Sequence, residues 1–166
     1  MHSLPLKAGT AGLCGSTDGT GAAARFLTPY GVATNGTDVF VTDSNNHTIR
    51  RIVIATGVVT TLAGMAGSYG SRNGRGLDAR FSGPRDIATD GTNLFVGDYG
   101  NCTVRKVVIA TGFVSTPIGV PGLAYCGVSL GALPAELDNV QGIATSSGKI
   151  YLISRNLILA APAPTP

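Results

Sequence analysis

The feature that most constrains the fold of this chain is an internal repeat. Residues 33–64 recur as residues 88–119, an offset of 55 residues, so that Asp43 corresponds to Asp98. A period of this order is typical of solenoids, propellers and arrays, in which each repeat packs against its neighbours. Most recurring residues are therefore predicted to serve the architecture, and they identify neither a substrate nor a reaction.

The composition excludes several classes of protein. Hydrophobic residues make up 43% of the chain and charged residues 13%, which argues against disorder. The 24 glycines suit short strands joined by tight turns. A net charge of +3 is too small for the dense basic surface typical of nucleic-acid binders, and no apolar run is long enough to span a membrane.

One complete repeat predicts four strands and no helix. The strands are expected at residues 84–89, 94–98, 103–109 and 113–118. Asp90-Gly91 separates the first two strands, and this dipeptide is typical of a hairpin turn in which both central residues have positive φ. A four-stranded antiparallel meander cannot bury both faces alone, so the repeats are predicted to stack radially as blades of an all-β propeller.

The repeats resemble the NHL family of β-propellers, in its long-repeat bacterial and plant form. The resemblance rests on the triplets Asn46-His47-Thr48 and Asn101-Cys102-Thr103, and on the flanking segments DGTGAAARF and NGRGLDARF. It covers nearly the whole chain and implies the fold more strongly than an activity. Some members of the family hold RNA on a basic face, and others are lyases that use a metal held by histidines.

We expect about three blades per chain, half of a six-bladed ring. The propeller segment covers residues 1–159, with repeats near 10–64, 65–119 and 120–159, and residues 160–166 form a Pro/Ala-rich tail. In the third repeat, Leu157-Ile158 replaces Asn46-His47. Residues 1–9 match an outermost strand and are predicted to complete a blade. A homodimer would close the ring, while a longer chain or an open stack remains an alternative.

The turns after each second strand, together with the loops between blades, are expected to form one binding face. The candidate binding residues on this face are Asn46, His47, Arg72, Arg75, Tyr99 and Asn101. Arg72, Arg75 and Arg80 give the middle loop a local positive charge.

The recurring Asp43 and Asp98 are expected to cap the turn amides, and Arg50 and Arg105 to pair with a neighbouring blade. A disulfide between Cys102 and Cys126 is possible, since both fall on the same face, and it would indicate an oxidising compartment.

The sequence predicts a non-enzymatic binding or scaffold module, with an extracytoplasmic or secreted location favoured. Its expected ligand is a protein, peptide or glycan. We identify no catalytic residue, metal ligand or cofactor, since His47 is matched by Cys102 and the remaining histidine is His2. Two alternatives remain at this point, an RNA-binding module and a metal-dependent lyase or hydrolase with its site at the channel mouth.

Overall fold

The computed structural model describes residues 8–121 and 137–164, which form three antiparallel sheets. Blade 1 has the order β1-β5-β4-β3-β2 and contains β1 (Gly19–Thr20), β2 (Pro29–Thr34), β3 (Asp38–Asp43), β4 (Thr48–Val53) and β5 (Val58–Ala63). Blade 2 has the order β6-β10-β9-β8-β7 and contains β6 (Gly74–Arg75), β7 (Pro84–Thr89), β8 (Asn93–Asp98), β9 (Thr103–Val108) and β10 (Phe113–Ile118). Blade 3 has the order β11-β12-β13 and contains β11 (Val140–Ser146), β12 (Lys149–Ser154) and β13 (Leu157–Pro162).

The sheets are β-propeller blades, as the repeat predicts. The innermost strands β2, β7 and β11 lie beside one another, which places the blades around a common axis. The four-stranded meander is confirmed, and β7 and β10 begin and end at the predicted residues. Blades 1 and 2 each carry one further strand of two residues, β1 or β6, on the outer edge. No helix of the described residues is long and apolar enough to cross a membrane.

The hairpin between β7 and β8 differs from the predicted turn. Gly91 has a φ of +95°, but Asp90 does not have positive φ. The Asp90 carboxylate instead accepts hydrogen bonds from the backbone N–H groups of Thr92 and Asn93, at 2.9 and 2.7 Å. This side chain closes the turn as an Asx turn, so only one residue needs the left-handed region.

Two predictions for the third repeat are wrong. Residues 160–162 belong to β13 rather than to a tail, since Ala160 pairs with Tyr151 and Pro162 with Lys149. The turn after β12 is also two residues shorter than its counterparts. Leu157 pairs with Ser154 as Thr48 pairs with Asp43, so Leu157-Ile158 does not replace Asn46-His47.

Asp43 and Asp98 form buried ion pairs rather than caps on the turn amides. Asp43 and Arg50 have fully buried side chains and lie 2.9 Å apart, and Arg50 also contacts Asp18 at 2.8 Å. All of these partners lie in blade 1, so the predicted pairing with a neighbouring blade is wrong. A buried carboxylate requires a cationic partner, and the short turns Ser44–Asn46 and Tyr99–Asn101 contain no cation.

Blade 2 repeats this arrangement, with Asp98 and Arg105 2.9 Å apart and both side chains fully buried. Asn73 takes the place of Asp18 there and accepts a hydrogen bond from Arg105 at 2.9 Å.

The core lies between the blades. We call the face of a blade that packs on the following blade its forward face, and the opposite face its rear face. Phe40 and Ile49 on the forward face of blade 1 pack into a cluster with Ile87, Val96 and other rear-face residues of blade 2. Phe95 and Val104 repeat this contact with Ile143 and Leu152 of blade 3. Dispersion and apolar burial between the facing sheets therefore fix how the blades stack.

Candidate functional site

An arginine lies between two tyrosines near the inner strands. Arg85, the second residue of β7, has its guanidinium carbon 3.4 Å from the ring centroid of Tyr99 and 5.4 Å from that of Tyr30. Tyr30 is the second residue of β2 and is 61% exposed, whereas Arg85 and Tyr99 are half-buried. Cation–π attraction holds the guanidinium in place without neutralising it.

Among the described residues, no side chain or carbonyl accepts a hydrogen bond from the Arg85 guanidinium. The carboxylate next to it in sequence is already used, since Asp86 accepts backbone hydrogen bonds from Ile143 at 2.7 Å and from Ile87 at 3.0 Å. Arginine has five N–H donors in a planar fork that matches a carboxylate. The arrangement is therefore suited to binding an anionic group.

The fold fixes the backbone that carries Arg85. The Thr42 hydroxyl of blade 1 donates a hydrogen bond to the carbonyl oxygen of Arg85. The same hydroxyl accepts from the backbone N–H of Gly31 at 2.8 Å. Two residues before Arg85, the backbone N–H of Gly83 donates to Nδ1 of His47 at 3.0 Å. The Thr42–Arg85 and Gly83–His47 hydrogen bonds join blade 1 to blade 2, so the position of Arg85 depends on the packing of the blades.

His47 is a positioning residue for this segment. It has a φ of +58° and ends the 3₁₀ turn Ser44–Asn46, which directs its ring towards blade 2. The ring also meets Tyr69 edge-on, with centroids 6.0 Å apart. Burial lowers the pKa of His47 below its ordinary value of 6.5. Since Nδ1 accepts a hydrogen bond, the neutral ring carries its proton on Nε2.

Asn46 and Asn101 were both predicted as binding residues, but both amide groups are engaged in the fold. The Asn46 side-chain amide donates to the Gly15 carbonyl and to the Asp43 carboxylate, each at 2.7 Å. Asn101 makes the equivalent bonds to Gly70 and Asp98, also at 2.7 Å. Each Asn therefore ties a loop to the buried ion pair of its blade, and neither amide has a hydrogen left for a ligand.

The predicted basic loop does not gather its arginines at one place. Arg75 donates from Nε to the Thr111 carbonyl at 2.9 Å, at the hairpin end of blade 2 opposite the turn that carries Tyr99. Arg80 donates to the carbonyls of Leu77 and Ala79. Arg72 is exposed in the loop before β6, where its carbonyl accepts from Arg105 at 3.1 Å. Tyr99 is therefore the predicted residue that joins the stack.

Cys102 has the same left-handed conformation as His47, with a φ of +55°. Its predicted partner Cys126 lies outside the described residues, so the disulfide stays a prediction. Cys14 is a free, exposed thiol.

Sequence reasoning missed Tyr30 and Arg85. The second position of the innermost strand holds a different type of residue in each blade, namely Tyr30, Arg85 and Gln141. This variation could have identified them from the sequence. The position before it is Pro29, Pro84 and Val140, and all three are apolar. A position that varies in chemistry inside a constant architectural frame is a candidate for function.

Comparisons with known proteins agree with the fold. The chain is 36% identical over 100 residues to the chloroplastic protein SUPPRESSOR OF QUENCHING 1 of Arabidopsis thaliana. The matched region makes up 59% of this chain and 9% of that protein. No family model matches the chain.

Solved structures with a similar fold include two auxiliary nutrient binding proteins. The protein from Bacteroides thetaiotaomicron VPI-5482 matches with a TM-score of 0.66 and 19% identity, over 75% of this chain and 34% of that one. The protein from Bacteroides ovatus ATCC 8483 matches with a TM-score of 0.65 and 19% identity, over 80% and 36%. A chain of the nidogen/laminin complex matches with a TM-score of 0.59 and 17% identity, over 84% and 46%. The chain thus spans less than half the length of each, and these identities show the fold alone.

Proposed function

We propose that this chain is a non-enzymatic binding module that takes an acidic peptide segment on the Tyr30–Arg85–Tyr99 stack. The observation that carries the proposal is the Arg85 guanidinium, held against Tyr99 at 3.4 Å without an acceptor among the described residues. Tyrosine and arginine are the residue types enriched at the energetic centres of protein interfaces. The name shared by the two Bacteroides neighbours, auxiliary nutrient binding protein, supports a binding role.

The two other functions expected from the sequence gain no support from the described geometry. An RNA-binding face would need its cations together, whereas Arg75 and Arg80 are turned onto backbone carbonyls at different places. A metal-dependent lyase would need a set of ligands, and within residues 8–121 and 137–164 no group of three or more His, Cys, Asp or Glu side chains is placed to hold an ion.

The test compares two arginines that carry the same charge. Hexaglutamate and hexaglutamine peptides are titrated into the wild-type protein, Arg85→Gln and Arg72→Gln by isothermal calorimetry. Arg72 is exposed and lies outside the stack, so Arg72→Gln controls for the loss of one unit of net charge.

We expect the wild type to bind hexaglutamate and not hexaglutamine. Arg85→Gln should weaken binding by about 10- to 150-fold, the equivalent of one charged hydrogen bond. Arg72→Gln should stay within about 2-fold, because an exposed charge acts only through screened, long-range attraction. Equal losses of affinity in the two variants would show that net charge alone explains the binding, and they would overturn the proposed site. Binding of oligogalacturonate in place of the peptide would overturn the peptide assignment.

An extracytoplasmic location stays a proposal that depends on pairing between Cys102 and Cys126. Alkylation of the unfolded protein before and after reduction tests the pairing by mass spectrometry. One alkylated thiol before reduction and three after are expected, since Cys14 is free. Three alkylated thiols before reduction would remove this support.

A further inference from the structure

The forward face of blade 3 is an exposed apolar surface with a defined counterpart. Tyr151 and Ile158 are 38% and 80% exposed. Ile153 pairs with Ile158 in β12 and β13, as Thr42 pairs with Ile49 in blade 1. Ile158 therefore stands at the position of Ile49, which is fully buried against blade 2.

The same correspondence holds for the second large side chain of this face. Tyr151 stands at the position of Phe40 in blade 1 and of Phe95 in blade 2, both of which are fully buried. Ile153, between Tyr151 and Ile158, is 45% exposed and extends the apolar surface. Blade 3 thus carries the contact surface of an internal blade interface, and no blade among residues 8–121 and 137–164 covers it.

The rear face of blade 1 is the complementary surface. Val32 pairs with Val41 across β2 and β3, as Ile87 pairs with Val96 in blade 2. Ile87 and Val96 are 4% and 0% exposed because blade 1 covers them. Val32 is 66% exposed. Val41 is half-buried beside an open apolar hollow of about 240 Å³ that Phe26, Pro29 and Ile52 also line.

We propose that a second copy of this chain covers both surfaces, with the forward face of each blade 3 packed on the rear face of the other copy's blade 1. The occupant follows from continuity with an existing interface, since blades 1 and 2 and blades 2 and 3 meet through the same positions. Two copies, each with the three described blades, would form the six-bladed ring expected from the repeats, joined through two such contacts. This proposal is independent of the peptide site.

The conformation of Gly9 supports the arrangement. Gly64 and Gly119 follow β5 and β10, and each has a φ of +90°. A Cβ at Gly64 would clash with the carbonyl oxygen of His47, and one at Gly119 with that of Cys102. Gly9 has a φ of +89° and makes the same kind of backbone hydrogen bond as Gly64, but no carbonyl of a described residue lies near its Cβ position. In the closed pair, the partner's Asn156 would supply that carbonyl, because Asn156 precedes Leu157 as His47 precedes Thr48 and Cys102 precedes Thr103.

The test uses one substitution on each face, Ile158→Asp on the forward face and Val32→Asp on the rear face. Light scattering across a concentration series measures the mass of the wild type and of each variant. We expect the wild type to have the mass of two chains, and each variant to raise the dissociation constant at least about 10-fold, the worth of one buried aliphatic side chain.

Mixing the two variants tests the head-to-tail geometry. The mixture retains one intact contact, between the unchanged rear face of Ile158→Asp and the unchanged forward face of Val32→Asp. It should therefore associate at concentrations where each variant alone is a single chain. A symmetric contact of one face with itself would not be restored by mixing, and that outcome would overturn the proposal.

Leu77→Asp is the matched control, because Leu77 is 55% exposed and lies in the 3₁₀ turn Gly76–Asp78, away from both faces. It should keep the wild-type mass. Far-UV circular dichroism confirms that each variant remains folded. A wild-type protein that is a single chain at all concentrations would overturn the proposal. The two faces would then be contact surfaces for other blades or for another partner.

Discussion

His47 joins blade 1 to blade 2, and we expect His47→Asn to weaken this contact without disturbing the backbone. The residue has a φ of +58°, a conformation that Asn adopts more readily than most side chains. The substitution removes the hydrogen bond from Gly83, 3.0 Å long, and the edge-on contact with Tyr69. A hydrogen bond contributes about 1 kcal/mol and an aromatic pair about 0.5 kcal/mol. At pH 8 the variant should therefore lose about 1–2 kcal/mol in its free energy of unfolding.

The cost of the substitution should depend on pH. Burial lowers the pKa of His47 in the folded protein below the value of 6.5 that it has when unfolded. Below pH 6.5 the unfolded chain therefore binds more protons than the folded one, and the stability of the wild type falls. This contribution is fully present above pH 6.5 and is lost as the pH falls through the lowered pKa.

The measurement is urea denaturation of the wild type and His47→Asn at pH 8, 6.5 and 5, followed by far-UV circular dichroism. Carboxylates titrate in both proteins, so they cancel in the difference between them. The difference of about 1–2 kcal/mol at pH 8 should shrink or reverse at pH 5. His2→Asn removes the chain's other histidine and is the control. A difference of equal size at pH 8 and pH 5, or the same pH dependence from His2→Asn, would refute the reasoning.

Two further predictions concern the stability of the blades. Gly64→Ala should lower the free energy of unfolding, measured by urea denaturation, by about 2–5 kcal/mol, since it combines a φ of +90° with a clash against the His47 carbonyl. Gly36→Ala is the control and should cost about 1–2 kcal/mol, because Gly36 has a φ of +94° but open space around its Cβ position. Equal costs would contradict the clash. Arg51 binds Asp38 through two hydrogen bonds of 2.9 Å, which lower the pKa of Asp38. Asp38→Asn should therefore lose about 1–2 kcal/mol at pH 7. This loss should shrink as the pH falls from 3.8 through the lowered pKa of Asp38, where the folded carboxylate takes up a proton, and an unchanged loss at pH 3 would contradict the reasoning.

The sequence predicted the blades well because strand and turn signals are local. The bounds of β7 and β10 follow from residue alternation and Gly-rich turns, which depend on near neighbours in the chain. The cationic partner of Asp43 does not follow from its near neighbours in the chain. Leu27 and Arg50 approach its carboxylate only after β2 to β4 have folded together, so a turn cap was the wrong expectation. Pairing between strands decides which cation a buried carboxylate meets, and the residues next to Asp43 in the chain do not contain that information.

The candidate site was hard to predict for a related reason. Asn46 and Asn101 recur because the fold needs them, since each side-chain NH2 group donates both of its hydrogens within its own blade. Arg85 does not recur, and its equivalent residues are Tyr30 and Gln141. The backbone around it does recur, since Tyr30, Arg85 and Gln141 each stand second in the innermost strand of a blade. In a repeat protein, function is therefore best sought where the backbone is repeated and the side chain is not, and by that criterion Arg85 is a stronger candidate than any residue of the repeated triplets.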